Sequence, residues 1–157
     1  FVGNLVSSTL AIAPFFVVFV YYQNFQTVIF VHALFLFLLI LAREMIKDLE
    51  NIAGDMAQNY KTVPILYGQR FSKIGISSLI LLALIPAFLL TEYFNVGYMH
   101  FYFLGCIVLL ILLIAMLWKA QTKLHYVGLH NIIKFIIVAG VFSILLIDVN
   151  LVLNRIF

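Results

Sequence analysis

REMIKDLENIAGDMAQNYKTVPILYG, residues 43–68, is the one long polar stretch in this chain, and on both sides the sequence is almost pure Leu, Ile, Phe and Val. That contrast decides the fold. Of 157 residues, 66% are hydrophobic and only 10% charged, whereas soluble domains are about half apolar and about a quarter charged. A soluble fold of this size has too little polar surface to cover so much apolar side chain, so the natural solvent is a bilayer. The net charge of +3 is too small and too scattered for a nucleic-acid partner. Cys106 is the only cysteine and lies in an apolar run, which excludes a disulfide framework or a cysteine metal site. Phe1 opens an apolar run with no basic residue before it. That lacks the charged start of a signal peptide, and the expectation is that an upstream part of the protein precedes it.

Outward from the polar stretch lie five apolar segments, at residues 2–22, 27–43, 74–91, 100–118 and 130–148. Each is at or near the ~20 helical residues needed to cross about 30 Å of hydrocarbon. Each is expected to be helical, because lipid offers backbone groups no hydrogen-bond partner. The second is short and is expected to run on as helix into the polar stretch. The fold class is therefore all-α, a polytopic membrane helix bundle of about five transmembrane helices. Pro14 and Pro86 fall inside spans, where proline is tolerated and can introduce a kink.

Charge in the connections sets the orientation. Residues 23–26 carry none; 43–73 carry Arg43, Lys47, Lys61, Arg70 and Lys73; 92–99 carry only Glu92. Residues 119–129 carry Lys119 and Lys123, Lys134 follows within the last span, and Arg155 lies in the tail. Basic residues favour cytoplasmic loops. The second and fourth connections are thus expected inside and the first and third outside, with the N-terminus inside and the C-terminus outside. The expected location is integral to the cell's inner or plasma membrane, with residues 43–73 on the cytoplasmic side.

Positive-inside topology accounts for the five basic residues of that connection but not for Glu44, Asp48, Glu50 and Asp55. On a continuous helix, at about 100° per residue, Glu44, Asp48, Asn51 and Asp55 project within roughly 60° of one another. Lys47 borders this stripe and Arg43 lies further round. Oxygen ligands in a row suit a hard cation such as Mg²⁺ and not zinc, which prefers His and Cys. At about 1.5 Å per residue, Asp48 and Asp55 are about 10 Å apart along the axis, too far for one ion to touch both. Two ions, a bridging ligand or a break in the helix is required, and Gly54 is the expected break point. Because Mg²⁺ binds a few carboxylates together with substrate phosphates, the stripe points to a phosphorylated substrate at the membrane surface. The alternative is a solvated loop whose acids balance its bases, and spacing alone leaves both open. Glu44 and Asp48 form a like-charge i,i+4 pair, which costs energy unless a cation sits on it, and this favours the metal.

The same residues resemble the second aspartate-rich region of the UbiA superfamily of intramembrane prenyltransferases, closest to its geranylgeranylglycerol-phosphate geranylgeranyltransferase branch. The pattern there is roughly R-E-x-x-K-D-x-E-D-x-x-G-D, then K-T-x-P-x-x-x-G. It is matched at Arg43, Glu44, Lys47, Asp48, Glu50, Gly54 and Asp55, then at Lys61, Thr62, Pro64 and Gly68. Asn51 stands where the family's D-x-x-x-D has an acid, so one ligand is a neutral amide with Asp48 one turn earlier. The family has about nine helices and a further N-D-x-x-D-type motif, which is not in this sequence. The resemblance therefore implies that residues 1–157 are the C-terminal part of a UbiA-like domain, inactive alone, with the N-terminal helices and first Asp-rich motif missing.

The resemblance also implies a chemistry: transfer of an isoprenyl group from a prenyl diphosphate to a lipophilic acceptor, with Mg²⁺ as cofactor. The acceptor in the nearest branch is a glycerol-phosphate ether lipid, and an aromatic acceptor of quinone synthesis is the alternative. Asp48 and Asp55 are the implied catalytic residues. Glu44, Asp48, Asn51 and Asp55 are implied metal ligands, and Arg43, Lys47, Lys61 and Arg70 are implied diphosphate contacts. Phe37, Tyr60 and Tyr67 are candidates to face an allylic cation. The partners are these two substrates and membrane lipid. A transporter or lipid-binding bundle using the same loop as an ion gate is the rival from another class; it predicts polar residues crossing several spans at mid-depth, and the spans are nearly uncharged. Asn4, Ser7 and Ser8 are expected in helix packing, with substrate contact as the alternative, and His32 as a packing histidine rather than a catalytic one. His125 and His130, with Lys123, Asn131 and Lys134, are expected to snorkel to the headgroups, with contact to an acceptor phosphate as the alternative. Asp148 is given no role.

Overall fold

A computed structural model describes residues 1–23, 25–94 and 96–143 of the chain. Asp148, Arg155, the outer end of the fifth span and the orientation of the C-terminus lie outside the described residues. Among those described there are helices and no strand: α1 (Val2–Tyr22), α2 (Thr27–Glu50), α3 (Ile52–Ala57), α4 (Val63–Glu92), a 3-10 turn (Gly97–Met99), α5 (His100–Lys119) and α6 (Lys123–Ser143). Five of them, α1, α2, α4, α5 and α6, are long and apolar enough to cross a membrane. The expected all-α bundle with five spanning helices is thus what forms. The continuation of the second span as helix also holds, since α2 runs unbroken to Glu50.

The boundaries differ at two places. α4 begins at Val63, well before residue 74, and α6 at Lys123 rather than residue 130. An apolar-run criterion sees the lipid-facing length of a helix and stops at polar residues within it, Gln69, Arg70, Ser72 and Lys73 in α4 and Lys123 and His125 in α6. In α4 the start is favoured by Pro64 in the first turn, where its absent N–H would have had no partner anyway. In α6 it is favoured by Thr122, whose Oγ1 accepts the backbone N–H of His125 at 3.4 Å, the position of an N-cap bond. Pro14 and Pro86 sit inside helices; the non-helical backbone within α4 is at Gly68, with φ 85° and ψ 164°.

α2 is central. It packs against α4, α6 and α1, while α5 lies against α4 and α6 and closes the group. The buried residues recur three and four apart, as helix faces require: Phe103, Cys106, Leu110, Leu113 and Leu117 on α5, and Tyr126, Leu129, Ile133 and Ile136 on α6. They meet Phe35, Leu39, Ala42 and Ile46 of α2 and Ile76, Ile80, Ala83 and Ala87 of α4 in one core. The opposite faces carry exposed Leu, Val and Phe, as they must where the solvent is hydrocarbon. Interhelical polar bonds are few and sit near helix ends. Lys73 of α4 and the Tyr126 hydroxyl both donate to the Ala120 carbonyl, which ends α5; the Tyr102 hydroxyl donates to the Ile136 carbonyl at 2.9 Å.

Candidate functional site

The polar end of α2 is where the charged side chains collect. Helical rotation divides them between two faces. Arg43 and Glu50, seven residues apart, fall within about 20° of each other and look towards α6. Glu44 and Asp48 lie on the neighbouring face.

The helix breaks directly after Glu50. Asn51 leaves the helical region at φ −111° and ψ 20°, ending α2 and opening α3. The expected break at Gly54 is therefore corrected: Gly54 lies within α3. Its role is spatial. A Cβ there would sit 2.7 Å from Oδ1 of Asn51, so only glycine lets that amide lie over the turn. So placed, Asn51 Nδ2 donates to Asp55 Oδ1 at 3.0 Å. α3 then ends in a Schellman arrangement: the Tyr60 N–H bonds the Asp55 carbonyl, the Asn59 N–H bonds the Met56 carbonyl, and Asn59 is left-handed at φ 56°. This reversal, of the kind that commonly closes helices, carries the chain through Lys61 to α4.

The four acids are met differently. Glu44 takes Arg43 Nη1 at 2.9 Å and Lys47 Nζ at 3.6 Å. Glu50 takes Nδ1 of His130 at 3.1 Å. Asp48 takes the Asn4 amide of α1 at 2.8 Å, and Asp55, only 8% exposed, takes the Asn51 amide. Among the described residues no Lys, Arg or His side chain pairs with Asp48 or Asp55. These two carboxylates thus meet neutral amide donors. Buried or half-buried negative charge of this kind attracts a cation.

The residues present fit Mg²⁺ in one specific way. Among the described residues there is no group of three or more His, Cys, Asp or Glu placed to enclose a metal ion. The donors available are hard carboxylate oxygens on consecutive turns, with the second oxygen of Asp48 and of Asp55 not used in the bonds above. Mg²⁺ takes one or two carboxylates and completes its shell with water and substrate phosphate. The set suits an ion shared with a phosphorylated ligand rather than an all-protein cage.

Of the other residues expected in the site, Lys47 is exposed beside Glu44. Lys61 and Arg70 are exposed and make no ion pair among the described residues, so the acid cluster is not where their side chains rest. Tyr60 is exposed as well, and Phe37 packs against the core. Tyr67 packs against Phe71 with the rings tilted by 41° and their centroids 5.2 Å apart. Both line a groove of about 600 Å³ with Met45, Val63, Leu79 and Leu82. Met45 brings the polar end of α2 to the groove, and most of the other lining residues lie along α4.

Three residues of the site were not singled out for it by sequence: Asn4, Glu50 and His130. Asn4 was expected in helix packing, and it does bridge α1 and α2; antiparallel spans place the start of one beside the end of the next. His130 was expected in a snorkelling cluster with His125. It is instead buried between Glu50 and Arg43, whose Nε donates to His130 Nε2 at 3.0 Å. The signal was its place on the 126-129-133-136 face of α6. His125 stays local, accepting the Gln121 N–H at 3.3 Å.

Comparison with known proteins supplies an independent line. The UbiA prenyltransferase family matches residues 1–136. A digeranylgeranylglyceryl phosphate synthase of Methanobrevibacter smithii is 44% identical over 69 residues, 43% of this chain and 24% of that protein. The enzyme of the same name from Thermococcus kodakarensis is 58% identical over 38 residues, 24% of this chain and 14% of that protein. The matched segments thus span a quarter or less of the length of these curated relatives. No solved structure matches the chain at a significant level.

Proposed function

Because the chain belongs to the UbiA prenyltransferase family, we propose that it carries the diphosphate-binding side of an enzyme that prenylates a glycerol-phosphate ether lipid. The donor is a prenyl diphosphate, and a geranylgeranyl donor is what the names of the similar proteins support. The observation that carries this proposal is the pair of carboxylates, Asp48 and Asp55, held by amides and without a cationic side chain.

In the reaction the allylic C–O bond to diphosphate breaks, with the electron pair leaving on the diphosphate. The acceptor hydroxyl oxygen forms the new C–O bond and gives up its proton. Mg²⁺, when bound, offsets the charge that develops on the leaving group. Asp48 with Glu44, and Asp55 with the side-chain carbonyl of Asn51, are the two donor pairs that would each hold an ion against the diphosphate, since no single ion reaches both aspartates. Asn4 and Asn51 each hold one carboxylate oxygen of Asp48 and Asp55, which leaves the other oxygen of each for a ligand. Arg43 and Lys47, beside Glu44, are placed to donate to phosphate oxygens as charge leaves the carbon. Lys61 and Arg70, on the exposed connection and the first turns of α4, reach the same ligand by bending inward when it binds. The groove from Met45 to Leu82 is apolar and suits the isoprenoid chain, keeping water from the cationic carbon. Tyr67 and Phe71 are aromatic side chains that line that path, with Phe1.

The test is Asp55→Ala in the whole protein, reconstituted in vesicles with geranylgeranyl diphosphate and an ether-lipid acceptor. Transfer is expected to fall at least about a hundredfold while membrane insertion is unaltered. Undiminished turnover, or donor binding that survives complete chelation of divalent ions, would sink the proposal. A quinone-type aromatic acceptor in the same assay separates the other branch of the family.

A further inference from the structure

Arg43 does not stand alone at the end of α2. Its Nε donates to His130 Nε2 at 3.0 Å, and the other ring nitrogen of His130, Nδ1, lies 3.1 Å from Oε2 of Glu50. A guanidinium nitrogen can only donate. Nε2 must therefore accept, which leaves the ring proton on Nδ1, pointing at the Glu50 carboxylate. The order is fixed: Glu50 orients the imidazole, and the imidazole orients Arg43. The far end of the guanidinium, Nη1, is bonded to Glu44 at 2.9 Å. The guanidinium is thus held at two of its nitrogens, and Nη2 is not used in either bond.

Three features make this more than packing. The imidazole is buried and comes from another helix, 87 positions along the chain. Glu50 and Arg43 share a face of α2 and so meet one ring between them. A free arginine side chain has many rotamers to lose, so fixing it before the ligand arrives increases what each of its hydrogen bonds contributes to binding.

We infer that His130 is a positioning residue that holds Arg43 ready for a diphosphate, which rests on the diphosphate role of Arg43 proposed above. His130 itself touches no substrate. Glu50 belongs to the same device, as the group that keeps the proton on Nδ1.

The probe is inorganic pyrophosphate with Mg²⁺, titrated calorimetrically into the whole protein in detergent, so that no acceptor or turnover is needed. His130→Leu is expected to weaken binding about tenfold, the scale of one hydrogen bond to a charged group. His130→Gln, whose amide oxygen can accept from Arg43, is expected to stay within about threefold of the native protein. In an Arg43→Ala background, His130→Leu is expected to cause no further loss, since residues that act as one unit are non-additive. Glu50→Gln leaves the ring in place, removes the charge holding its proton, and is expected to cause about a threefold loss; it carries the test if His130→Leu does not fold. Native affinity in both His130→Leu and Glu50→Gln would overturn the inference. So would a loss of equal size with and without Arg43, or a native protein that does not bind pyrophosphate at all. A protein that follows the expected pyrophosphate series yet transfers no prenyl group would overturn the proposed function and leave this inference standing.

Discussion

Asn51 donates to Asp55 through its Nδ2, an arrangement that a carboxylate at this position would reverse into repulsion. Asn51→Asp would add a charged oxygen to the acid stripe and remove the internal donor. The expected outcome is tighter use of metal, with the Mg²⁺ concentration for half-maximal transfer falling about threefold, in line with the dependence of affinity on ligand charge. A Mg²⁺ titration of the transfer rate measures it, and an unmoved midpoint would remove Asn51 from the ligand set. Gly54 is the complementary case. Gly54→Ala pushes only the mobile end of Asn51, so the fold should survive while Asp55 loses its hydrogen-bond donor. The donor KM is expected to rise by about threefold to tenfold, about one hydrogen bond, with little change in thermal unfolding; a variant that loses stability and keeps its KM contradicts this. The acid stripe was legible in sequence because α2 really does continue to Glu50, so rotation about one axis predicts which carboxylates share a face. Its break was not legible, because it depends on an amide folding back over Gly54. Nor was the Arg43–His130 bond, since nothing local in either segment reports a partner from another helix.

Among the helices, the bend in α4 is the feature most open to test. Gly68 holds φ 85° and ψ 164°, a region that is essentially confined to glycine. Gly68→Ala is expected to lower stability by about 1–3 kcal/mol, visible as a lower unfolding temperature in detergent. If the unfolding temperature does not fall, the bend is not strained in the way its dihedrals require. The bend lets the turn from Val63 to Tyr67 run separately from the spanning part, which brings Tyr67 and Phe71 to the groove beside Met45. The existence of each span could be read from apolar length alone. The starts of α4 and α6 could not, because polar residues, Gln69 to Lys73 in α4 and Lys123 and His125 in α6, separate the first turn from the apolar run or fill it. Arg70, Lys73 and Lys123 are among those residues, so the charges that read as a loop in fact lie on helix.

For the molecule as a whole, the expected orientation separates Lys61 from Tyr98 by the full membrane. Both are exposed, and the native Cys106 is buried. A membrane-impermeant maleimide should label Tyr98→Cys in intact cells and Lys61→Cys only after the membrane is opened. The reverse pattern would invert the topology and move the acids to the outer face. One property of α2 then bears on how the protein responds to its lipid. Its uncharged portion, Thr27 to Ala42, measures only about 24 Å at about 1.5 Å per residue, against a hydrocarbon layer of about 30 Å. Because this one helix both spans the layer and ends in the carboxylates, any thinning or thickening of the surrounding leaflet lifts or sinks them relative to the headgroups. Acyl-chain length should therefore act as a control on turnover, with an optimum in short-chain lipids where mismatch is least.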